Sequence, residues 1–195
     1  MAPILASRGG ISASAFGFGS LVAPLGDYQA IMTATVDSGG SGTISFTGIP
    51  QTFKHLQIRG ISRMAAAAGG SDMLIRFNGD TASNYSYHLL QGNGASAVAA
   101  AGSTQTYIRN QSTSDAGQTA NVFDGHIFDI LDYTNASKGK TLRGLVGGDY
   151  NGSGYIRELS GGWYISPTAI TQIDLIASAT TFVQYSQFAL FGLKG

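Results

Sequence analysis

The stretch GTISFTGIPQTFKHLQIRGISR (42–63) constrains the fold of this chain more than any other. Within it, polar side chains alternate with Ile44 and Phe46, which is the period-two pattern of a half-buried β-strand. Gly48 and Pro50 end that run, because glycine admits unusual dihedral angles and proline removes a backbone hydrogen-bond donor. A second, longer alternation begins near Leu56. The stretch therefore predicts two strands joined by a tight loop.

Most of the chain repeats this arrangement of short alternating segments separated by Gly, Asn, Asp or Ser. We predict further strands at 28–36, 72–77, 85–90, 104–109, 119–133, 141–150, 154–165, 170–177 and 187–193, and a surface loop at 91–103. Strands at this spacing, without an amphipathic helix, predict an all-β sandwich or barrel. Long polar connections favour Greek-key or jelly-roll topology over a simple meander. The immunoglobulin alternative ranks lower because its Cys–Trp–Cys spacing is missing. The sequence therefore predicts a jelly-roll-like antiparallel β-sandwich.

Residues 1–26 differ in composition from the rest, since they combine small residues and widely spaced apolar ones with a single charge. We predict an extended N-terminal docking arm at 1–26 and a sandwich domain at 27–195. A disordered leader is the alternative for the arm, although disordered segments are usually charged and polar. The arm residues expected to contact a partner are Arg8, Ile11, Phe16, Phe18, Leu21 and Val22.

The charge of the chain limits the partners it can have. Charged residues make up 11% of the sequence and the formal net charge is zero, whereas a nucleic-acid-binding surface needs clustered Lys and Arg. We therefore expect no nucleic-acid partner, and no apolar run is long enough to insert into a membrane. A low-charge surface rich in glycine is typical of close subunit contacts. The sequence has no cysteine, which excludes disulfides and thiol nucleophiles.

No complete catalytic motif is present in the sequence. Glu158 is the only glutamate, so a carboxylate pair would have to use aspartates. Asp124 and His126 share one face of a predicted strand, and a Ser–His–Asp site remains open, but without a Gly-x-Ser-x-Gly elbow. The three histidines lie on different predicted strands without the close spacing of metal ligands. We expect no catalytic residues, no metal and no cofactor.

The segment around 149–155 carries the remaining candidate contacts. Its oxygen-bearing side chains resemble a calcium loop, but they lack the distal bidentate glutamate and also suit an ordinary hairpin turn. Aromatic rings can stack on sugars, and most aromatic residues of a β protein lie instead in the core or at subunit contacts. Beside the glycine-rich turn, Tyr150, Asn151 and Tyr155 are the residues expected to be exposed for receptor or glycan contact.

Several segments together resemble a group of bacteriophage virion proteins, which includes tail-fibre, appendage and minor structural or decoration proteins. These segments are TFKHLQIRGISR (52–63), LIRFNGDTASNYSYHLL (74–90), FDILDYTNASKGKTLRGL (128–145) and QYSQFALFGLKG (184–195). The segment ASRGGISASAFGFGS (6–20) separately resembles short leader segments of phage structural proteins. The resemblance implies a multi-copy component of the virion surface, a homotrimer with a β-sandwich body and an arm on the particle.

These observations lead to one expected function and two alternatives. We expect a non-enzymatic virion protein, an outer fibre or receptor-binding appendage that contacts capsid, tail or baseplate proteins and a host glycan or protein. A capsid decoration, cement or head-fibre protein is the first alternative, and a glycan-degrading enzyme is the second. Apolar residues on both faces of the last strand, 187–193, agree with burial between subunits.

Overall fold

The structure is a computed structural model that describes residues 26–67, 71–110, 113–164, 167–178 and 180–195. Within these ranges the alternating segments form twelve strands. In chain order they are β1 (Tyr28–Thr35), β2 (Thr43–Thr47), β3 (His55–Ser62), β4 (Met73–Phe77), β5 (Tyr85–Gly92), β6 (Ala97–Gln105), β7 (Ile108–Asn110), β8 (Asp124–Leu131), β9 (Lys140–Asp149), β10 (Gly154–Trp163), β11 (Gln172–Ala177) and β12 (Gln187–Leu193).

The strands form two antiparallel sheets that pack as a sandwich. The large sheet has the order β1-β12-β3-β8-β9-β10-β5-β6, and the small sheet has the order β2-β11-β4-β7. The chain changes sheet at most of its connections, so even β2 and β3, which are consecutive, lie in different layers. The predicted all-β, jelly-roll-like antiparallel sandwich is confirmed. Within the described ranges, no helix is long and apolar enough to cross a membrane.

The core lies between the two sheets, where the apolar member of each alternation points. In β2, Ile44 and Phe46 are buried while the polar residues between them are exposed, as the period-two pattern predicts. Phe77, Tyr85 and Trp163 form an aromatic group at one end of this core. These contacts hold the small sheet against the inner face of the large one, which leaves the outer face of the large sheet uncovered by any other described element.

Three sequence predictions fail for identifiable reasons. The predicted strand at 104–109 is divided between the end of β6 and the start of β7, because the chain passes there from the large sheet to the small one. The segment 91–103 is not a loop, because Asn93 accepts backbone hydrogen bonds from Ala95 and Ser96 in a turn that pairs β5 with β6. The predicted strand at 119–133 begins only at Asp124. The guanidinium of Arg63 donates to backbone carbonyls in the preceding segment, at Thr119, Val122 and Gln118, and holds it in a turn.

Both faces of the last strand, β12, make apolar contacts within the chain. Phe188 and Leu190 of β12 face the core and are buried. On the outer face, the ring of Tyr28 stacks on Phe191 with 4.6 Å between ring centroids. Residues 1–25 of the predicted arm lie outside the described residues, and so do all six of its candidate contact residues.

Candidate functional site

Two adjacent rows of inward positions at one end of the large sheet carry polar side chains. One row runs from Ser62 through Asp124 and Gly148 to Tyr155, across β3, β8, β9 and β10. The neighbouring row includes His126 of β8 and ends, beyond Val146, at Arg157 and Gln91. Buried polar groups need hydrogen-bond partners inside the protein. The hydrogen-bond partners of these side chains show whether the side chains are available for catalysis.

The carboxylate of Asp124 is fully buried and is held by three donors. The Tyr150 hydroxyl donates to Oδ1 at 2.6 Å, and the Tyr155 hydroxyl donates to Oδ2 at 2.6 Å. The backbone N–H of Ser114 also donates to Oδ2 at 2.6 Å. Burial, together with the adjacent Asp124 charge, raises the pKa of both tyrosines, so the phenols stay protonated and keep donating. This arrangement stabilises a buried charge.

His126 lies close to a serine, but the Ser–His–Asp site left open by the sequence is not assembled. Nε2 of His126 is 2.8 Å from Oγ of Ser62, while Nδ1 has no hydrogen-bond partner among the described residues. The donors described above hold the Asp124 carboxylate. Both Ser62 and His126 are buried, and burial, aided by Arg157, lowers the pKa of His126 to about 3. A general base must reach a nucleophile that substrate can approach, and this pair is enclosed.

Arg157 is the largest fully buried side chain of this region. Its guanidinium donates to Oδ1 of Asn110 at 3.1 Å and to the Gln91 side-chain oxygen, and it lies 4.6 Å from the centroid of the Tyr155 ring. The planar fork of arginine suits such divided bonding, and the ring face stabilises the cation. Arg157 therefore links β10 to β7 and β5 through buried polar contacts.

The structure offers no support for a calcium loop at 149–155. No group of three or more His, Cys, Asp or Glu side chains that could hold a metal occurs in the ranges that the structure describes. Oδ1 of Asp149 accepts backbone hydrogen bonds from Asn151 and Gly152, both of which have positive φ. The segment after β9 is therefore an ordinary hairpin turn closed by an aspartate, the second of the two interpretations that the sequence allows.

The three candidate receptor contacts do not stand together at a loop tip. Tyr150 is only 7% exposed, so the expectation that it is exposed was wrong. Its ring turns inward because the buried Asp124 needs its hydroxyl, and Tyr155 is held in the same way. Asn151 is exposed in the turn. The aromatic pair therefore contributes to the interior of the protein and does not form a sugar-stacking platform.

The outer face of the large sheet is the main apolar surface of the described chain. Of the nine large apolar side chains that are exposed among the described residues, seven lie on this face, six at outward strand positions and one, Tyr164, directly after β10. They are Tyr28, Ile61, Leu90, Leu131, Leu145, Ile156 and Tyr164. Monomeric soluble proteins seldom expose a large contiguous apolar patch unless it binds something. This face is the candidate functional site.

A groove of about 1140 Å³ crosses the outer face from β1 to the turns that follow β5 and β9. One row of cross-strand partners lies in its middle, namely Ile61, Gly125, Gly147 and Ile156 on β3, β8, β9 and β10. The two isoleucines are 45% and 60% exposed, and the glycines between them have no side chain. The two glycines thus leave a depression between the two projecting isoleucines, which we call the glycine hole. We call the four residues together the Ile–Gly–Gly–Ile row.

Comparisons with known proteins identify no relative of this chain. No family model matches it, and neither a curated protein nor a solved structure matches. Function must therefore be argued from the outer face and the buried polar rows themselves.

Proposed function

We propose that this chain is a non-enzymatic structural protein of a bacteriophage virion. In this proposal it forms an outer appendage, a fibre or receptor-binding module, that residues 1–26 anchor to other virion proteins. The observation that carries the proposal is the uncovered apolar face of the large sheet. A component of a larger assembly covers such a face with its neighbours, whereas a protein that acts alone seldom has one. The resemblance to phage virion proteins supplies the biological setting and implies a homotrimer.

A capsid decoration or head-fibre protein is the second candidate, and the burial of Tyr150 favours it. An adhesin of the kind expected from the sequence would display the Tyr150–Tyr155 pair to a host glycan. Both hydroxyls are instead bound to Asp124 inside the sandwich. A decoration protein needs no sugar-stacking pair, because it binds the shell through protein contacts.

The location of the chain on intact particles tests this proposal. We expect the protein in gradient-purified virions of a phage that encodes it, and electron cryo-microscopy should place several copies on the particle surface. Density at the tail or baseplate would support the appendage, and density on the capsid would support the decoration protein. Absence of the chain from purified particles would overturn the proposal.

Removal of the arm gives a second test. Deletion of residues 1–26 should reduce incorporation into particles, while F16A/F18A should give an intermediate loss because two of the aromatic contacts are missing. T43Y, a substitution at an exposed position of the small sheet, serves as the matched control. Incorporation of the deletion variant at the wild-type level would contradict the role of the arm.

A further inference from the structure

We propose that the outer face of the large sheet binds the same face of a second copy of this chain, around the Ile–Gly–Gly–Ile row. The contact is isologous, so that one projecting isoleucine of each copy enters the glycine hole of the other. The inference deepens the proposed function, because a multi-copy particle component needs a contact between its copies. An isologous contact joins copies in pairs, so the unit we propose is a dimer in place of the homotrimer that the resemblance implies.

The first argument is that no described residue of the same chain crowds the Cβ position at two glycines of this face. A Cβ added at Gly125 would meet only the Gly147 carbonyl oxygen, at 3.9 Å, and one added at Gly92 would meet only Ile156, at 4.0 Å. Neither residue has a positive φ. Glycine weakens a strand interior, and it commonly marks a place where another molecule approaches closely. The empty space above Gly125 is thus explained by a partner.

The second argument is shape. Ile61 and Ile156 are separated by three strand spacings, about 14 Å, with the two glycines between them. A gap of this width accepts one large side chain from a facing sheet. Because the same row carries both projections and the hole, a two-fold axis satisfies both at once. A partner of different sequence would have to supply its own projection, whereas a second copy already has one.

The third argument is charge. The outward rows of the four central strands carry two positive side chains, Arg59 and Arg143, and three negative ones, Asp129, Glu158 and Asp149. Arg143 and Glu158 form an ion pair within the chain, and Asp129 accepts a hydrogen bond from Gln57 at 2.7 Å. Asp149 lies at the rim, where the turn backbone binds its carboxylate. A face whose charges nearly balance, with the surplus carboxylate at the rim, meets its own copy without strong like-charge repulsion.

The fourth argument is area. Eight strands at about 4.8 Å spacing, each about seven residues long with a rise of about 3.3 Å per residue, give a projected area of roughly 800 Å². A stable protein interface buries about 800 Å² on each partner. Two such sheets can pack face to face about 10 Å apart, as the layers of a sandwich do. The face is therefore large enough to hold a dimer without further contacts.

Sedimentation velocity of the full-length chain over a wide concentration range tests the inference. We expect a reversible dimer, and G125Y should raise its dissociation constant at least about tenfold because the tyrosine fills the hole. I156S removes a projection and should weaken the dimer similarly. T43Y on the small sheet and Y185S, at an exposed tyrosine outside this face, are the matched controls and should leave the dissociation constant unchanged.

Thermal unfolding of dilute protein separates this effect from misfolding. Tyrosine favours strands more than glycine does, so G125Y should keep or raise the melting temperature of the monomer while the dimer is lost. A wild-type chain that stays monomeric, or an oligomer of any size that G125Y and I156S leave intact, would overturn the inference. A dimer sensitive to both substitutions, from a chain absent from virions, would instead contradict only the proposed function.

Discussion

The hydroxyl of Tyr155 donates a 2.6 Å hydrogen bond to Oδ2 of Asp124, whose carboxylate is fully buried. Tyr150 binds the other oxygen of that carboxylate from the turn after β9. An ionised group away from water is stable only when its hydrogen bonds are made. The two tyrosines are therefore part of the folding energetics of the sandwich, and the following predictions start from them.

Removal of either phenol should destabilise the fold. Y150F leaves one oxygen of Asp124 without its donor, and we expect the free energy of unfolding to fall by about 1.5–3 kcal/mol. The double variant Y150F/Y155F should lose more than either single one, because the Ser114 N–H is then the one donor to Asp124 left among the described residues. Urea unfolding followed by Trp163 fluorescence measures these changes. Y164F, at an exposed tyrosine, is the control, and an equal loss there would contradict the prediction.

Acidification should destabilise the protein through His126. The pKa of His126 is about 3 in the folded protein, below the ordinary value of 6.5. As the pH is lowered, the imidazole is therefore protonated in the unfolded chain at a higher pH than in the folded one. Stability is full above pH 6.5 and falls as the pH is lowered toward the folded pKa, with a loss of about 2 kcal/mol at pH 5. Urea unfolding at several pH values should show this slope in the wild type and in H88Q, whose histidine is exposed. In H126Q the slope should be much reduced, and an unchanged slope would argue against the assignment.

Substitution of Arg157 should be among the most damaging changes to this chain. R157M leaves the side-chain oxygens of Asn110 and Gln91 without their donor, and we expect the free energy of unfolding to fall by about 3–5 kcal/mol. R157K keeps the charge but cannot reach both oxygens, so its loss should be smaller but still clear. R143M, which breaks an exposed ion pair, should cost less than about 1 kcal/mol. Comparable losses in R157M and R143M would show that the buried bonds contribute little.

Two glycines on neighbouring strands should respond to alanine in opposite directions. A Cβ at Gly148 would lie 2.0 Å from Oδ1 of Asp124, so G148A should displace the carboxylate and lower stability by about 2 kcal/mol or more. A Cβ at Gly125 meets open space, so G125A should be neutral or should stabilise the monomer by about 0.5 kcal/mol. Thermal unfolding of dilute protein compares the two. Equal destabilisation by both substitutions would mean that Gly125 also has a structural role.

The polar chemistry of this protein was only partly visible in its sequence. The shared face of Asp124 and His126 followed from their spacing in one strand, and the structure keeps both inside the sandwich. Ser62 next to His126, and Tyr150 next to Asp124, could not be predicted, because these contacts join segments that are far apart along the chain. The Ile–Gly–Gly–Ile row was hidden for the same reason, since its members come from four different strands.

The sequence by itself determined the all-β class and most strand positions, because the period of two is a local property that follows from how successive side chains leave an extended backbone. Strand order, the separation of β2 from β3 and the pairing of 97–105 with β5 depended on tertiary structure. Those outcomes arise from hydrogen bonds and packing between distant segments. The burial of Tyr150 belongs with them, since only the folded sandwich places a buried carboxylate within reach of its hydroxyl.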